Sequence, residues 1–285
     1  MKKCPVIGLN MSMDNIDKYE RCGFLVPVSY VDAVAGAGGT PVCIPPWTDM
    51  ALCAQILPRL QGFVFIGGDD YRPECYGGHV QPEEELMPER RDRFDLALAR
   101  WILHKTELPV LGVCGGHQLI SIAQGGALIQ DIRTEWTPPE NERLLPHAGR
   151  ERHGHGSTDF RHPVFCETGS LIEQVTSIGN TENASTPTIH AYRTGTFSLQ
   201  DHGALTTNSF HHQAVAPRRV GMNLRPSAWT CDGVIEAIEP AKNSPWAQSG
   251  RFVLGVQWHP ERMQDEEPHR NIFRALVEAS RRKRW

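Results

Sequence analysis

Residues 110–117 read Val-Leu-Gly-Val-Cys-Gly-Gly-His, an apolar run that ends at Cys114 and passes into a pair of glycines. A short continuous apolar run of this kind is typical of a strand that is buried on both faces. The glycines permit a tight turn, and a helical segment follows them. The stretch therefore predicts a strand, a sharp turn that carries a cysteine, and then a helix. Enzymes hold nucleophilic side chains on strand-to-helix turns of this kind.

Similar apolar runs recur along the chain, separated by longer mixed segments. They predict further strands at residues 6–9, 41–44, 63–66, 234–238 and 252–256. The segments between and after them predict helices at residues 27–35, 89–104 and 270–282. This alternation indicates an α/β protein with a mostly parallel sheet, and we expect residues 1–285 to form a single domain.

Residues 134–208 differ from the rest of the chain, because they are rich in Thr, Ser, Asn, Gly, Pro and His and have few sustained apolar runs. We interpret them as a long irregular excursion rather than a separate domain. Four of its histidines are candidates for lining a pocket, although we favour a solvated position for them: His147, His153, His155 and His162.

The overall composition excludes several classes of partner. The 285 residues carry 29 Lys and Arg against 33 Asp and Glu, a formal net charge of −4, which gives no electrostatic reason to expect nucleic acid or an anionic membrane. No run approaches the ~18 apolar residues that a bilayer span needs, and no signal peptide is visible. Eight cysteines without a Cys-x-x-Cys pair favour a reduced, cytoplasmic setting.

A candidate base for Cys114 follows the apolar run at residues 252–256, where the chain continues Gln-Trp-His-Pro-Glu. In an extended segment His259 and Glu261 would point the same way, so that the carboxylate orients the imidazole. The three residues predict a triad in which His259 accepts the thiol proton. The alternative is that Cys114 is a small core residue and His259 a buried histidine at a strand end.

Acyl transfer also needs N–H donors where negative charge develops on the carbonyl oxygen. Gly67 and Gly68 directly follow one predicted strand, and Gly115 follows the cysteine. The backbone amides of Gly68 and Gly115 are therefore candidates for an oxyanion hole, although the same glycines would equally serve tight turns.

A metal site near these glycines is not expected from the sequence. Asp69, Asp70 and His79 are residue types that bind metals, but no third ligand stands at a useful spacing. We therefore expect the chemistry to need neither a metal nor an organic cofactor.

Three motifs in this order resemble the class I glutamine amidotransferase superfamily. They are Ile-Gly-Gly-Asp at residues 66–69, Val-Leu-Gly-Val-Cys-Gly-Gly-His-Gln at 110–118, and Gly-Val-Gln-Trp-His-Pro-Glu at 255–261. Further segments resemble its free-standing γ-glutamyl-γ-aminobutyrate hydrolase branch, of the peptidase C26 type: residues 90–95, 125–132 and 208–215. The similarity covers nearly the whole chain.

The resemblance implies a three-layer α/β/α sandwich with a flavodoxin-like sheet, and hydrolysis of a small γ-glutamyl amide through a thioester on Cys114. It implies that His259 is the base and Glu261 its orienting carboxylate. The amides of Gly68 and Gly115 would form the oxyanion hole. No cofactor is implied, and the branch implies a role in polyamine degradation or related nitrogen scavenging.

The resemblance also implies substrate contacts. Gln118 falls where the superfamily contacts the glutamyl group, and His212 and Gln213 lie in a segment that lines the same pocket, although a structural role is equally open for both. Gly115 stands where the branch often has an arginine, and residues 68–73 differ from its usual loop. The leaving amine is therefore undetermined.

Two other functions stay open at this stage. The same triad would serve a glutaminase subunit that passes ammonia to a separate synthase. A non-catalytic protein that binds a glutamyl ligand is a third reading, against which the complete triad argues. The number of subunits is undetermined, and assembly into a homo-oligomer is compatible with the sequence.

Overall fold

A computed structural model describes residues 4–15, 22–82, 84–140, 142–147, 160–177 and 204–282. The strands are β1 Val6–Asn10, β2 Ser12–Asn15, β3 Cys22–Leu25, β4 Thr40–Ile44, β5 Gly62–Phe65, β6 Val110–Val113, β7 Leu128–Ile129, β8 Phe160–Cys166, β9 Leu205–Ser209, β10 Ala214–Val215, β11 Leu224–Trp229, β12 Ile235–Pro240 and β13 Val253–Val256. The helices are α1 Val28–Gly36, α2 Ala51–Ile56, α3 Glu89–Lys105, α4 Gly115–Ala123, α5 Ile132–Glu135, α6 Leu171–Thr176, α7 Pro245–Gln248 and α8 Glu267–Arg282.

Nine of the strands in the described residues form one central sheet, in the order β4-β1-β5-β6-β13-β12-β11-β8-β9. The first five run parallel to one another, and from β12 onward each strand is antiparallel to its neighbour. The sheet is thus mixed, with a parallel half that contains all the predicted strands except the one at 234–238, which is the antiparallel strand β12. The predicted pairing of the segment at 234–238 with the strand at 252–256 is confirmed.

Two apolar cores lie on opposite faces of the sheet. One contains buried side chains of α2, α3 and α4, and the other contains those of α1, α6 and α8. The helices therefore form a layer on each face, and the predicted α/β/α arrangement is confirmed. No helix among the described residues is long and apolar enough to cross a membrane.

Most boundaries differ from the prediction by one or two residues, and two larger differences have physical reasons. Helix α8 begins three residues before the predicted start at 270, because its first turn, Glu-Pro-His, lacks the apolar periodicity that marks the rest. Within the excursion, β8 and most of β9 extend the central sheet. Strand β8 is buried only at alternate positions along part of its length, so it gave no sustained apolar run.

Candidate functional site

Cys114 is the single residue between strand β6 and helix α4. Its backbone has φ 52° and ψ −109°, and it is one of two non-glycine residues with positive φ in the described chain. Such a conformation costs about 1–3 kcal/mol and persists only where surrounding contacts hold it. Here the Cys114 N–H donates to the Val256 carbonyl at 2.8 Å, and its carbonyl accepts from the Gln118 N–H at 3.2 Å. The predicted turn is confirmed.

Glycines allow this turn because the helix packs directly onto the strands. A Cβ atom on Gly116 would lie 2.0 Å from the Phe65 carbonyl oxygen, and one on Gly112 would lie 2.4 Å from the Gly116 carbonyl oxygen. Both distances are too short for any side chain. The small residues around Cys114 are therefore required by close backbone packing.

His259 and Glu261 form a buried pair, with 2.6 Å between the imidazole Nδ1 and the carboxylate Oε1. The extended backbone predicted for this segment is wrong, because Pro260–Arg262 is a turn of 3₁₀ helix. Proline fits the first turn of such a helix, since it has no N–H to leave unpaired. The two side chains meet across this turn rather than along a strand.

The charge around His259 favours the imidazolium. Burial alone would lower the pKa of His259, but the Glu261 carboxylate, followed by the Cys114 sulfur, raises it to about 10. Because Nδ1 faces Glu261, the other ring nitrogen, Nε2, is the one available to the sulfur.

Cys114 and His259 both lie next to Gly67, which follows strand β5. A Cβ atom on Gly67 would be 3.2 Å from His259 Cε1, 3.3 Å from Cys114 Cβ and 3.3 Å from the Tyr30 hydroxyl. Strands β5, β6 and β13 are adjacent and parallel, so their carboxyl ends bring these residues to one edge of the sheet. The Tyr30 hydroxyl accepts a hydrogen bond from the Gly67 N–H at 3.0 Å.

The predicted oxyanion-hole glycines also lie together. A Cβ atom on Gly115 would be 3.4 Å from the Gly68 nitrogen. Gly115 is the first residue of α4, whose N–H has no acceptor within the helix. The two amides are thus neighbours of Cys114 on different elements.

The sequence reasoning missed the role of Arg91, which holds the glycine loop. The guanidinium is fully buried, donates to the Gly67 carbonyl at 2.8 Å and pairs with Asp95 at 3.3 Å. A Cβ atom on Gly68 would lie 2.1 Å from Arg91 Nη1. Asp95 also accepts from Asn10, whose side-chain oxygen accepts the Ile66 N–H at 2.8 Å. This network fixes the end of β5, and the motif at residues 90–95 was the available signal.

Asn208 is a second residue whose role the sequence did not predict. Its side chain accepts the His259 N–H at 2.8 Å and donates to the His259 carbonyl at 3.0 Å. The buried amide therefore clamps the backbone of the histidine on both sides. Phe210 packs edge-on against the same imidazole, with 5.7 Å between the ring centroids.

Gln118 lies on α4 and is linked to the Cys114 thiol by the side chain of a second glutamine, Gln257. Its Nε2 donates to the Gln213 carbonyl at 3.2 Å and to Gln257 Oε1 at 3.3 Å. The Gln257 side chain in turn donates to the Cys114 sulfur at 3.7 Å. Gln257, quoted in the third motif without a role, is thus in contact with the nucleophile candidate.

His212 and Gln213 are connected to the Cys114 site through other residues, Asp70 and Gln118. His212 Nε2 pairs with the Asp70 carboxylate at 3.0 Å, and Asp70 lies on the loop that follows Gly68. Gln213 acts through its backbone carbonyl, which accepts from Gln118 and from the His211 ring. Neither side chain hydrogen-bonds to Cys114.

The expectation that the excursion's histidines are solvated is wrong for two of them. His147 and His162 are each 4% exposed, because β8 joins the sheet and the two imidazole rings pack against each other, with 5.1 Å between their centroids. His153 and His155 lie outside the described residues. The buried histidines do not join the Cys114 site but gather around Glu236, on strand β12.

The profile of the peptidase C26 family matches residues 5–261. The chain belongs to the peptidase C26 family. This C26 protein is therefore a class I glutamine amidotransferase-like hydrolase, as the motifs implied.

Two relatives and one solved structure illustrate the breadth of the similarity. The C26 chain is 31% identical to a glutamine amidotransferase-like protein of Rickettsia prowazekii, covering 99% of both chains. It is 28% identical to the γ-glutamyl-γ-aminobutyrate hydrolase of Escherichia coli K12, covering 90% of this chain and 85% of that protein. The glutaminase domain of Trypanosoma brucei CTPS, with bound acivicin, shares the fold with a TM-score of 0.55 at 15% identity, covering 96% of this chain and 94% of that one.

Proposed function

We propose that this chain hydrolyses a small γ-glutamyl amide, such as γ-glutamyl-γ-aminobutyrate, to glutamate and an amine through a thioester on Cys114. The observation that carries the proposal is the strained Cys114 turn, which lies beside the His259–Glu261 pair and two neighbouring glycine amides. Membership of the C26 family and 28% identity to a γ-glutamyl-γ-aminobutyrate hydrolase support the same reaction class.

In the first half-reaction His259 Nε2 holds the proton that leaves the Cys114 thiol, and the sulfur attacks the γ-carbonyl carbon. A C–S bond forms, and the carbonyl electron pair moves to oxygen, where the Gly68 and Gly115 N–H groups would stabilise it. The His259 pKa of about 10 supports an imidazolium that is ready to donate. When the oxyanion collapses, the C–N bond breaks and the imidazolium gives its proton to the departing amine.

In the second half-reaction neutral His259 takes a proton from water, whose oxygen attacks the thioester carbon. A second oxyanion forms at the same amides, the C–S bond breaks, and the proton returns from His259 to the sulfur. Glutamate leaves and the enzyme is restored. Glu261 keeps Nδ1 protonated and so presents Nε2 to the reacting atoms in both steps.

For the glutamyl group we propose a position next to Gln118, whose amide is held between the Gln213 carbonyl and Gln257. Gln257 reaches the sulfur, so a ligand against Gln118 would have its acyl carbon near Cys114. His212 would act through Asp70, by holding the loop that carries Gly68.

The test is glutamate release from a panel of γ-glutamyl amides that includes glutamine and γ-glutamyl-γ-aminobutyrate. Wild type is compared with Cys114→Ala and with Cys43→Ala, which removes an exposed cysteine outside the site. We expect turnover of at least one non-glutamine amide by wild type and Cys43→Ala, and none by Cys114→Ala. Mass spectrometry of the stopped reaction should find the glutamyl group on Cys114.

The other outcomes point to the two alternative functions. Slow cleavage of glutamine alone would contradict the proposal and indicate a glutaminase subunit that needs a separate synthase. Binding of γ-glutamyl amides without any cleavage would indicate a binding protein. Retained activity in Cys114→Ala would remove the thioester mechanism.

A further inference from the structure

Four buried side chains that the proposed reaction does not use converge in the antiparallel half of the sheet. His147 lies in the segment before β8, His162 on β8, His211 just after β9, and Glu236 on β12. One nitrogen or oxygen atom of each lies within 4.8 Å of those of the other three. All four residues are at most 5% exposed.

The atoms that face one another have no hydrogen-bond partners in the described part of the chain. Glu236 Oε1 lies 3.7 Å from His147 Nδ1, 3.8 Å from His162 Nε2 and 3.4 Å from His211 Nε2. None of these nitrogens, and neither oxygen of Glu236, makes a hydrogen bond with a described residue. A buried polar atom without a hydrogen-bond partner costs about 1–3 kcal/mol of stability. Five such atoms facing one another therefore indicate a ligand that satisfies them.

Two of the three outward-facing nitrogens, in contrast, are fixed by acceptors. His147 Nε2 lies 3.0 Å from the Asp232 carboxylate, and His211 Nδ1 lies 2.9 Å from the Gln213 carbonyl. Both partners only accept hydrogen bonds, so these nitrogens carry the ring protons. In the neutral rings of His147 and His211 the inward nitrogens then carry lone pairs. The third outward nitrogen, His162 Nδ1, lies 3.5 Å from the Thr207 hydroxyl, which can either donate or accept. A histidine that donates to a carboxylate or carbonyl and turns its other nitrogen inward is the usual outer arrangement of a metal-binding histidine.

We infer that His147, His162, His211 and Glu236 bind one divalent transition-metal ion, Zn²⁺ by the character of the ligands. Three imidazoles and one carboxylate suit Zn²⁺, whereas Ca²⁺ and Mg²⁺ prefer oxygen ligands. With bonds of about 2.0–2.1 Å in tetrahedral geometry, neighbouring ligand atoms lie about 3.3–3.5 Å apart. The His–Glu distances of 3.4–3.8 Å are close to that spacing, and the widest separation between ligand atoms, 4.8 Å, would have to shorten when an ion binds.

One alternative fits the same distances without a metal. One of the histidines would carry an extra proton and pair with the Glu236 carboxylate, 3.4–3.8 Å away. The experiment must distinguish this shared proton from a bound ion.

Four protein ligands complete a tetrahedral shell, so the ion would be structural rather than a reactant. It would tie the segment at 142–147, β8 and the start of the 211–213 segment to β12 in the middle of the sheet. His211 and Gln118 share the Gln213 carbonyl as acceptor, so the cluster borders the wall of the proposed substrate pocket. Loss of the ion should therefore loosen that wall without removing any reacting group.

The first experiment measures metal content in tag-free protein after gel filtration in metal-free buffer. We expect about one Zn²⁺ per chain in wild type and in Cys114→Ala, and a loss of most of it in Glu236→Gln and His211→Ala. His269→Ala is the matched control, because it removes a buried, hydrogen-bonded histidine outside the cluster and should keep the metal.

A second experiment uses the wild-type chain alone, in case the variants fold poorly. Chelation should lower Tm, and added Zn²⁺ should restore it whereas Mg²⁺ does not. Replacement by Co²⁺ should give the visible absorption of a four-coordinate ion without the strong near-ultraviolet band of a thiolate ligand. Wild type that holds no metal and shows no Tm response would overturn the inference in favour of the shared proton. Metal that is lost in Cys114→Ala but kept in Glu236→Gln would overturn it in favour of a site at the nucleophile.

Discussion

The Cys114 site and the His147–His162–His211–Glu236 cluster are both buried polar groups on one sheet, but their hydrogen bonding differs. At the first site the side chains of the proposed triad have protein partners, such as the 2.6 Å contact between His259 and Glu261, and Glu261 Oε2 is their one buried polar atom without a described partner. In the cluster the five polar atoms that face inward have none among the described residues. The second arrangement therefore leaves far more buried polar groups for a ligand to satisfy.

The two sites also use different halves of the sheet. The Cys114 site lies where β5, β6 and β13 end side by side, so each contributes the residues that follow it. Parallel strands gather functional groups at one edge in this way. The cluster draws on antiparallel strands and on a segment before them, and its side chains meet beneath the surface. The ends of adjacent parallel strands suit a substrate site, whereas a fully buried cluster suits a structural ion.

Cys114→Ala should have the largest effect, and it should abolish activity while leaving the cluster intact. Removal of a nucleophile from a coupled triad costs about 10⁶-fold in kcat in a well-studied protease, and we expect a loss of at least about 10⁴-fold here. Because the thiol lies outside the cluster, Tm and metal content should stay close to those of wild type. Steady-state glutamate release and a thermal melt on the same sample measure both. A large fall in Tm would show that the strained turn also carries stability.

Glu261→Gln should be less severe than Cys114→Ala, by about one to two powers of ten in kcat, since both reacting groups remain. The amide also removes the carboxylate that raises the pKa of His259 to about 10, so this pKa should fall. Titration of ¹⁵N-labelled histidine followed by NMR measures the shift, with His259→Ala identifying the resonance. An unchanged pKa would mean that Glu261 does not set the charge of the imidazole.

Gly68→Ala tests the glycine amides without changing a side chain that reacts. The added methyl group would meet the Arg91 guanidinium at 2.1 Å, and Arg91 is held by Asp95, so the loop must move. Misplacing one oxyanion donor typically costs about 10²–10³-fold in kcat. Gly36→Ala is the control, because a Cβ atom there meets nothing within 4 Å. Full activity in Gly68→Ala would exclude this amide from the oxyanion hole.

The sequence predicted that Cys114, His259 and Glu261 lie together, because the signals for this site are local, and their catalytic roles stay predictions. The turn, the glycine pair and the His-Pro-Glu segment each occupy a few consecutive residues at the end of an apolar strand, and parallel strands then bring them together. What it could not predict were contacts made by residues far apart in the chain. Asn208 clamps a histidine 51 residues away, and Arg91 reaches Gly67 from another element.

The cluster is the clearest case of this limit. Its ligands come from positions 147, 162, 211 and 236, and no two of them have a spacing that suggests a metal. Two were expected to be solvated because they lie in a polar segment, yet strand pairing buries them. The single-domain organisation and the cytoplasmic location stay predictions.

Asn208→Ala should have a moderate effect on both activity and stability. It leaves the His259 N–H and carbonyl without their partners, and a buried unpaired polar group costs about 1–3 kcal/mol. We expect a comparable loss in the free energy of unfolding by urea, together with a fall in kcat larger than any change in KM. Metal content should not change. If kcat is kept while stability falls, Asn208 supports the fold alone and does not position the imidazole.

The last expected effect is a pH dependence of stability that belongs to the His259–Glu261 pair. An unfolded histidine titrates near pH ~6.5, whereas His259 in the folded chain titrates at about 10, so the folded state binds the proton more tightly. The stabilisation is thus fully present below about pH 6.5 and is lost as the pH rises through 10. The difference in free energy of unfolding between wild type and Glu261→Gln should accordingly shrink from pH 6 to pH 10, as measured by urea unfolding at several pH values.

His269→Ala provides the comparison, because burial lowers the pKa of His269 and its proton cannot stabilise the fold in this range. A wild-type to Glu261→Gln difference that stays constant would show that the pair stabilises the fold by packing and hydrogen bonding, with the imidazole neutral throughout.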